Sequence, residues 1–231
     1  MKGSSGWGTS NIIGDFSPKI DEVNGISATI SCDAKTTDNS EIKAYAYLIN
    51  DEVKNVTKDT KFIINDLNMN SNYKVSIIAI DKNGNFKKSN VVTFTTEDKT
   101  YLYKEGNEYT SITGGWNGFV LSGHYNGRFT KNTDNLLMYY SSVTYTESGF
   151  QTKNKIDFSK FSNIYVRYKN QSSQFYRSYD WVALLINITD GYPNYGDGSF
   201  EEERKINTKE KSIVQLHNAD VYSYVYEIYL K

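Results

Sequence analysis

The chain has 231 residues, a length that predicts two domains of ordinary size, and its 26 basic and 27 acidic side chains nearly balance. A formal net charge of -1 gives no strong field of either sign, which argues against capture of nucleic acid or of an anionic membrane. The single cysteine, Cys32, excludes an internal disulfide, and no apolar run approaches the ~20 residues of a membrane-spanning helix.

Residues 1–16 are rich in Gly, Ser and Asn and carry isolated apolar side chains. They lack the apolar core of a signal peptide, so we expect synthesis in the cytoplasm and release by lysis, unless residues 3–6 are a cloning scar. One hypothesis is a disordered tail. The other is an anchoring arm that orders on a partner, with Trp7, Ile12 and Ile13 filling pockets there. The arm hypothesis predicts that removal of residues 1–15 abolishes assembly and leaves the melting temperature unchanged.

Residues 17–96 contain several short runs of alternating side chains separated by polar turns. Residues 26–32 alternate, and residues 42–48 place Tyr45 and Tyr47 on the face opposite the even-numbered apolar residues. A further alternating run covers residues 73–79, and Asn83 with Gly84 favours a tight hairpin turn after it. This spacing of short strands and turns predicts an antiparallel sandwich.

Tyr73 opens its strand just after a loop and stands six residues after Leu67, a pattern that suits a tyrosine corner. In such a corner the ring packs into the core and the hydroxyl bonds to the backbone upstream. Together with the closing strand at residues 89–96, the pattern resembles the fibronectin type III domain. The resemblance covers residues 17–96 and implies a scaffold. Two features depart from the family: the second strand lacks a tryptophan, and Met69 stands where a proline often precedes the corner.

Residues 97–231 are crowded with aromatic side chains and again alternate between strand patterns and turns. Strands are predicted around residues 136–146, 164–168, 180–188, 212–219 and 221–231, whereas residues 198–211 fit either a helix or an exposed hairpin. The glycine turn before Trp116, the segment 155–166 and the closing run 226–230 resemble the jelly-roll sandwich modules of phage tail and prophage structural proteins, and more distantly carbohydrate-binding modules.

Residue patterns for catalysis or metal binding are missing from the sequence. The two histidines, His124 and His217, are far apart, and there is no nucleophile elbow, zinc spacing or phosphate-binding glycine loop. The carboxylates of residues 190–203 match no calcium loop, although jelly-roll loops can bind calcium. We therefore predict no catalytic residue, no metal site and no cofactor.

The surplus of aromatic side chains is the one feature that points to a ligand. Sugar rings stack on Trp and Tyr while polar neighbours bind the hydroxyls. The candidate ligand-binding residues are Trp116, Tyr139, Tyr140, Tyr192 and Tyr195, and loop placement predicts exposure of Trp116, Tyr192 and Tyr195. Two alternatives stay open: these side chains are ordinary strand residues, or they anchor a protein interface.

The predicted fold is all-β, with a fibronectin type III sandwich followed by a jelly-roll-like sandwich. We expect a non-enzymatic structural or adhesion component of a bacteriophage or phage-tail-like particle, such as a tail fibre, baseplate accessory or head decoration. It would be assembled in the bacterial cytoplasm, be extracellular after lysis and be present in many symmetric copies. Its expected partners are other virion structural proteins, with a host cell-surface glycan as candidate ligand, and neither nucleic acid nor inserted membrane. The alternatives are a released bacterial carbohydrate-binding accessory protein and a glycan hydrolase.

Overall fold

The computed structural model describes residues 12–120, 127–140, 147–172, 181–186, 194–195, 198–206, 209–219 and 221–231. It divides into two compact units, Met1–Lys99 and Thr100–Lys231. The division falls after Lys99, whereas the sequence placed it after Thr96, and the first unit includes the segment predicted as a separate arm. Within the described ranges, no helix is long and apolar enough to cross a membrane.

The described part of the first unit consists of short strands. In chain order they are β1 (Lys19–Val23), β2 (Ala28–Ser31), β3 (Ile42–Ile49), β4 (Glu52–Thr57), β5 (Lys61–Ile64), β6 (Asn72–Asp81), β7 (Phe86–Lys88) and β8 (Val92–Thr95). They form two antiparallel sheets, one in the order β1-β2-β5 and one in the order β4-β3-β6-β7, with β8 also paired to β6. Two antiparallel sheets of this kind make the sandwich that the fibronectin type III resemblance implies.

The core of the first unit lies between its two sheets. Ile30 of β2, Tyr47 of β3 and Ile77 of β6 are fully buried in one apolar cluster. Tyr47 keeps its hydroxyl paired inside this core by donating a hydrogen bond to the carbonyl oxygen of Asp59, at 3.0 Å. Since a buried hydroxyl without a partner is costly, this bond lets a tyrosine occupy an interior position.

The predicted tyrosine corner is confirmed. The Tyr73 hydroxyl accepts a hydrogen bond from the backbone N–H of Asn68 at 2.8 Å, and its ring stacks on Phe94 at a centroid distance of 5.6 Å. Leu67, just upstream, is buried in the core cluster. The corner therefore ties the loop before β6 to the strand that follows it.

The predicted hairpin turn is confirmed between β6 and β7, where Gly84 adopts a φ of 84°. Asp81 accepts hydrogen bonds from the backbone N–H groups of Asn83 and Asn85 and from the Asn85 side-chain amide. The Asn85 amide, followed by the two backbone groups, lowers the pKa of the Asp81 carboxyl despite its burial.

Residues 12–16 pack into the first unit. Ile13 is 0% exposed and Phe16 is buried in the same apolar cluster. Backbone hydrogen bonds join this segment to residues 35–37: the Gly14 N–H donates at 2.9 Å, and the Ile12 carbonyl oxygen accepts at 2.7 Å. The segment is thus part of the sandwich.

This packing corrects the anchoring prediction for Ile13. Its side chain fills a pocket of its own unit, so it is not available to a partner. Ile12 is half-buried beside it, and Trp7 lies outside the described residues. The expectation that removal of residues 1–15 leaves the melting temperature unchanged conflicts with the loss of a fully buried isoleucine.

The second unit opens with β9 (Thr100–Lys104) and a short helix, α1 (Thr110–Thr113). Its other strands are β10 (Trp116–Val120), β11 (Gly127–Lys131), β12 (Leu136–Tyr140), β13 (Glu147–Thr152), β14 (Ile156–Asp157), β15 (Asn163–Ser172), β16 (Trp181–Ile186), β17 (Asn194–Tyr195), β18 (Gly198–Lys205), β19 (Lys211–Ser212), β20 (Val214–Ala219) and β21 (Val221–Leu230). The segment that fitted either a helix or a hairpin therefore begins as strand β18.

The second unit contains a five-stranded sheet in the order β10-β13-β20-β16-β17 and a six-stranded sheet in the order β11-β12-β21-β15-β18, with β9 also on β21. Successive strands pass repeatedly from one sheet to the other, as in jelly-roll sandwiches. Ile164, Val166 and Tyr168 of β15 are buried, and so are Phe150 and Leu216 of the five-stranded sheet. The predicted all-β fold of two successive sandwiches is confirmed.

Candidate functional site

Trp116 is fully buried, which corrects its predicted exposure. Its indole Nε1 donates a hydrogen bond to the carbonyl oxygen of Leu102 at 3.1 Å, and its backbone N–H donates to the Glu108 carboxylate at 2.8 Å. Two glycines before it, at positive φ, turn the chain so that the indole enters the unit instead of the solvent. The exposed platform expected at this residue is absent.

The other predicted ligand-binding residues fall mostly outside the described structure. Tyr139 and Tyr140 belong to the backbone of β12, and Tyr195 lies in β17 instead of a loop. Their side chains lie outside the described part of the structure, as does the whole of Tyr192. Their ligand-binding role stays a prediction.

A different set of side chains lies on the outer face of the six-stranded sheet. On β15, Ile164 and Val166 are buried, and the period of two places Tyr165 and Arg167 on the opposite face, where both are half-buried. Neighbouring strands and the turn after β9 add further polar and aromatic groups. We define the outer tyrosine face as Glu105, Tyr165, Arg167, Glu201, Glu203, Tyr226, Glu227 and Tyr229.

Four tyrosine rings form a continuous row that starts on this face and runs into the buried part of the unit. Tyr165 stacks on Tyr229 of β21 with a centroid distance of 4.8 Å and an angle of 9° between the rings. Tyr229 meets Tyr101 of β9 edge-on at 5.8 Å, and Tyr101 stacks on Tyr109 at 5.8 Å. Aromatic pairs in these geometries add roughly 0.5–1.5 kcal/mol each beyond burial. The row is buried at Tyr229, Tyr101 and Tyr109, so its accessible end is Tyr165.

Carboxylates of β18 fix the hydroxyls of this row. The Tyr165 hydroxyl donates to Glu203 at 3.0 Å, and the Tyr229 hydroxyl donates to Glu201 at 2.9 Å. Burial, and then the bond to Glu201, raise the pKa of Tyr229 far above its ordinary value. The hydroxyl therefore stays protonated and continues to donate.

Arg167 is held at the centre of the face by two carboxylates from different parts of the chain. Its Nη2 donates to Glu227 Oε1 at 3.0 Å and to Glu105 Oε1 at 3.1 Å, and its guanidinium centre lies 5.5 Å from the centroid of the Tyr226 ring. The hydrogen bond to Glu227 is the first cause that raises the pKa of Arg167. These contacts fix a side chain that remains 41% exposed.

Two backbone irregularities create this arrangement. The register between β15 and β21 shifts after Arg167, which pairs with Glu227, so Tyr226 is an extra residue on β21. Such a bulge re-aims neighbouring side chains. Glu105 adopts a φ of 44°, uncommon for glutamate, and its N–H donates to the carbonyl oxygen of Tyr226 at 2.8 Å. The turn is thereby fastened to the bulge, which brings Glu105 to the guanidinium.

The outer tyrosine face offers fixed hydrogen-bond donors and acceptors beside aromatic rings. Among the described residues, no group of three or more His, Cys, Asp or Glu side chains is placed to hold a metal ion. The alternation of Tyr165, Arg167 and Lys169 in the sequence was a signal for one row of this face. The carboxylate neighbours were missed, because Glu105 and Glu227 are distant in sequence and only the strand pairing brings them together.

No protein-family model matches the chain, and no curated protein matches it. Similar solved structures include the fibronectin type III domain of human fibronectin type III domain containing protein 3, at 23% identity and a TM-score of 0.34, covering 41% of this chain and 93% of that chain. A carbohydrate-binding module of the β-sandwich superfamily has 14% identity and a TM-score of 0.38, covering 93% of this chain and 98% of that chain.

A family 29 carbohydrate-binding module from Piromyces equi has 13% identity and a TM-score of 0.37, covering 57% of this chain and 89% of that chain. The structural neighbours thus include fibronectin type III domains and β-sandwich carbohydrate-binding modules. With TM-scores below 0.5, these likenesses carry no weight in the functional proposal.

Proposed function

We propose that the protein is a non-enzymatic adhesion protein whose second unit binds carbohydrate on the outer tyrosine face. The observation that carries this proposal is Arg167, partly exposed, anchored between Glu105 and Glu227 and positioned over the Tyr226 ring. Tyr165 provides a half-buried aromatic edge on the same strand.

The chemistry of this arrangement suits a sugar. A sugar ring presents hydroxyls that both donate and accept, together with apolar C–H faces, so its site combines fixed polar groups with aromatic surface. Both hydrogen bonds that Arg167 makes to described residues use Nη2, and within that part of the chain Nε and Nη1 have no acceptor. A guanidinium carries five N–H donors, and those remaining are available to hydroxyl oxygens.

Anchoring also lowers the cost of binding. When binding immobilises a freely moving arginine side chain, the lost side-chain entropy costs roughly 0.5–1.5 kcal/mol of binding free energy. In this unit the Glu105 and Glu227 carboxylates have already fixed Arg167. The face is therefore pre-organised, and more of the contact energy appears as affinity.

The test measures binding of the full chain to a panel of soluble polysaccharides by affinity gel electrophoresis and titration calorimetry. Arg167→Gln and Tyr226→Ala are expected to weaken binding at least about tenfold, which corresponds to about 1.4 kcal/mol. Lys155→Gln, an exposed substitution in the same unit, is the matched control. Unchanged affinity in both site variants, with their melting temperatures preserved, would place carbohydrate binding outside the outer tyrosine face.

We further propose that the protein is carried on a bacteriophage or phage-tail-like particle, assembled in the bacterial cytoplasm and extracellular after lysis. Two β-sandwich units in succession support this proposal, since rigid scaffolds of this kind hold and present a binding face. The test is mass spectrometry and immunogold labelling of particles purified from lysates. Recovery of the chain only in the particle-free fraction would favour the alternative, a released carbohydrate-binding accessory protein.

The proposed lack of catalysis has its own test. The same polysaccharides, incubated with the full chain, are expected to show no release of reducing sugar above that of the Arg167→Gln variant. Release that exceeds the variant would assign a hydrolase function and overturn the non-enzymatic proposal.

A further inference from the structure

Arg167 is surrounded by carboxylates in excess of its own charge. Glu227 and Glu105 both bond its Nη2, and Glu201 lies opposite it on β18. Lys104 is a nearby cation: it pairs with Glu227 in the strand register, and its ammonium lies 4.5 Å from the centre of the Tyr101 ring. In the part of the chain that the structure describes, three carboxylates and one ammonium thus lie immediately around the guanidinium.

Farther from Arg167, the outer tyrosine face carries charged side chains of both signs. Glu203 accepts hydrogen bonds from Tyr165 and Asn163, and Lys169 is exposed two positions after Arg167 on β15. Glu105 and Glu203 are exposed, so their negative charge faces the solvent from which a ligand arrives. At a partly exposed surface, like charges a few ångströms apart repel by roughly 1–4 kcal/mol.

We infer that the outer tyrosine face selects neutral, hydroxyl-rich sugars and rejects glycans that carry carboxylates. This inference rests on the proposed function and adds the chemical class of the ligand. Arg167 gives N–H donors to hydroxyl oxygens while Glu105 and Glu227 offset its charge. A uronic acid brings a further carboxylate to a face on which Glu105, Glu201, Glu203 and Glu227 already outnumber the described cations Lys104, Arg167 and Lys169. The carboxylates also accept hydrogen bonds from sugar hydroxyls, which a ligand carboxylate cannot donate.

The experiment compares polysaccharides that share a backbone and differ in charge. Hydroxyethyl cellulose is paired with carboxymethyl cellulose, and polygalacturonate and alginate are paired with their carboxyl-reduced forms, alongside mannan and xylan. Affinity of the full chain is measured by calorimetry and affinity electrophoresis at low and at high salt. We expect the neutral member of any bound pair to bind about tenfold or more tightly, with the difference shrinking as salt screens the charges.

A double variant tests whether the carboxylate charges cause the preference for neutral sugars. Glu105→Gln combined with Glu227→Gln keeps amide oxygens that accept from Arg167 and removes both charges. It is expected to bring the affinity for the anionic member to within about threefold of that for the neutral member. Glu210→Gln, an exposed substitution at a residue that is not part of the defined face, is the matched control and is expected to leave the discrimination unchanged.

The outcomes separate the two proposals. Preference for neutral members, lost in the double variant, supports both the binding function and its selectivity. Equal or tighter binding of uronic-acid polymers overturns the selectivity and leaves carbohydrate binding standing. Persistence of the neutral preference in the double variant also overturns the charge-based inference. Absence of binding to every member of both classes overturns the binding function itself.

Discussion

Replacement of Ile13 by alanine tests whether residues 12–16 belong to the fold of the first unit or serve only as a docking arm. The Ile13 side chain is 0% exposed and lies in the apolar cluster between the two sheets. Its backbone contacts to residues 35–37 survive the substitution, so the loss is confined to side-chain packing. Removing a fully buried isoleucine side chain down to its β-carbon costs about 3 kcal/mol.

The neighbouring isoleucine provides the control. Ile12 is half-buried and contributes its carbonyl oxygen to the same backbone contacts, so Ile12→Ala removes less packing and is expected to cost about 1 kcal/mol. With a urea dependence of about 1.5 kcal/mol/M for a domain of this size, Ile13→Ala lowers the unfolding midpoint of the first unit by about 2 M.

The assay is hydrogen exchange of the full chain across a urea series, read by mass spectrometry on peptides that cover β2 and β6. A peptide from β15 reports on the second unit and serves as an internal reference, since the two units need not unfold together. A midpoint shift for Ile13→Ala that is no larger than for Ile12→Ala would refute the packing argument. The isoleucine would then be free for a partner, as the arm hypothesis requires.

Three further predictions concern stability. Tyr73→Phe removes the acceptor of the corner hydrogen bond and is expected to cost about 1 kcal/mol in chemical denaturation, whereas no change would show that the bond is dispensable. The pKa of the Asp81 carboxyl is lowered in the folded state. The stabilisation that this carboxylate provides is therefore fully present above its unfolded-state pKa of about 3.9 and is lost as pH falls through the folded-state pKa. In melting curves from pH 6 to 2, Asp81→Asn is expected to flatten this acid-dependent fall in melting temperature. Gly106→Ala forces a β-carbon onto the carbonyl oxygen of Thr133 at a φ of 93°, so it is expected to lower the melting temperature more than Gly84→Ala, whose β-carbon meets open space.

The local features of the first unit were the most predictable from the sequence. The tyrosine corner at Tyr73 and the turn at Asn83 and Gly84 depend on residues close together in the chain, so the sequence pattern carries them. The arm was misjudged for the opposite reason. Ile13 contacts residues that follow it by more than twenty positions, and an isolated apolar side chain gives no sign of such a contact.

Alternation along a strand also does not show which of its two faces is buried. In β3 it placed Tyr45 and Tyr47 on one side of the strand. In the structure that side packs into the core cluster, where the Tyr47 hydroxyl bonds to the carbonyl oxygen of Asp59. The same ambiguity affected Trp116, whose glycine turn suggested an exposed loop and instead directs the indole inward to the Leu102 carbonyl. Which face is buried depends on what lies across the sandwich.

By itself, the sequence determined the β-strand content, the succession of two sandwiches and the local turns, because these follow from the period of two and from residues near one another in the chain. Only the tertiary structure decided which tyrosines and carboxylates meet Arg167. Glu105 and Glu227 reach it through strand register, a bulge and a left-handed turn, and cross-strand neighbours of this kind are set by pairing between distant segments.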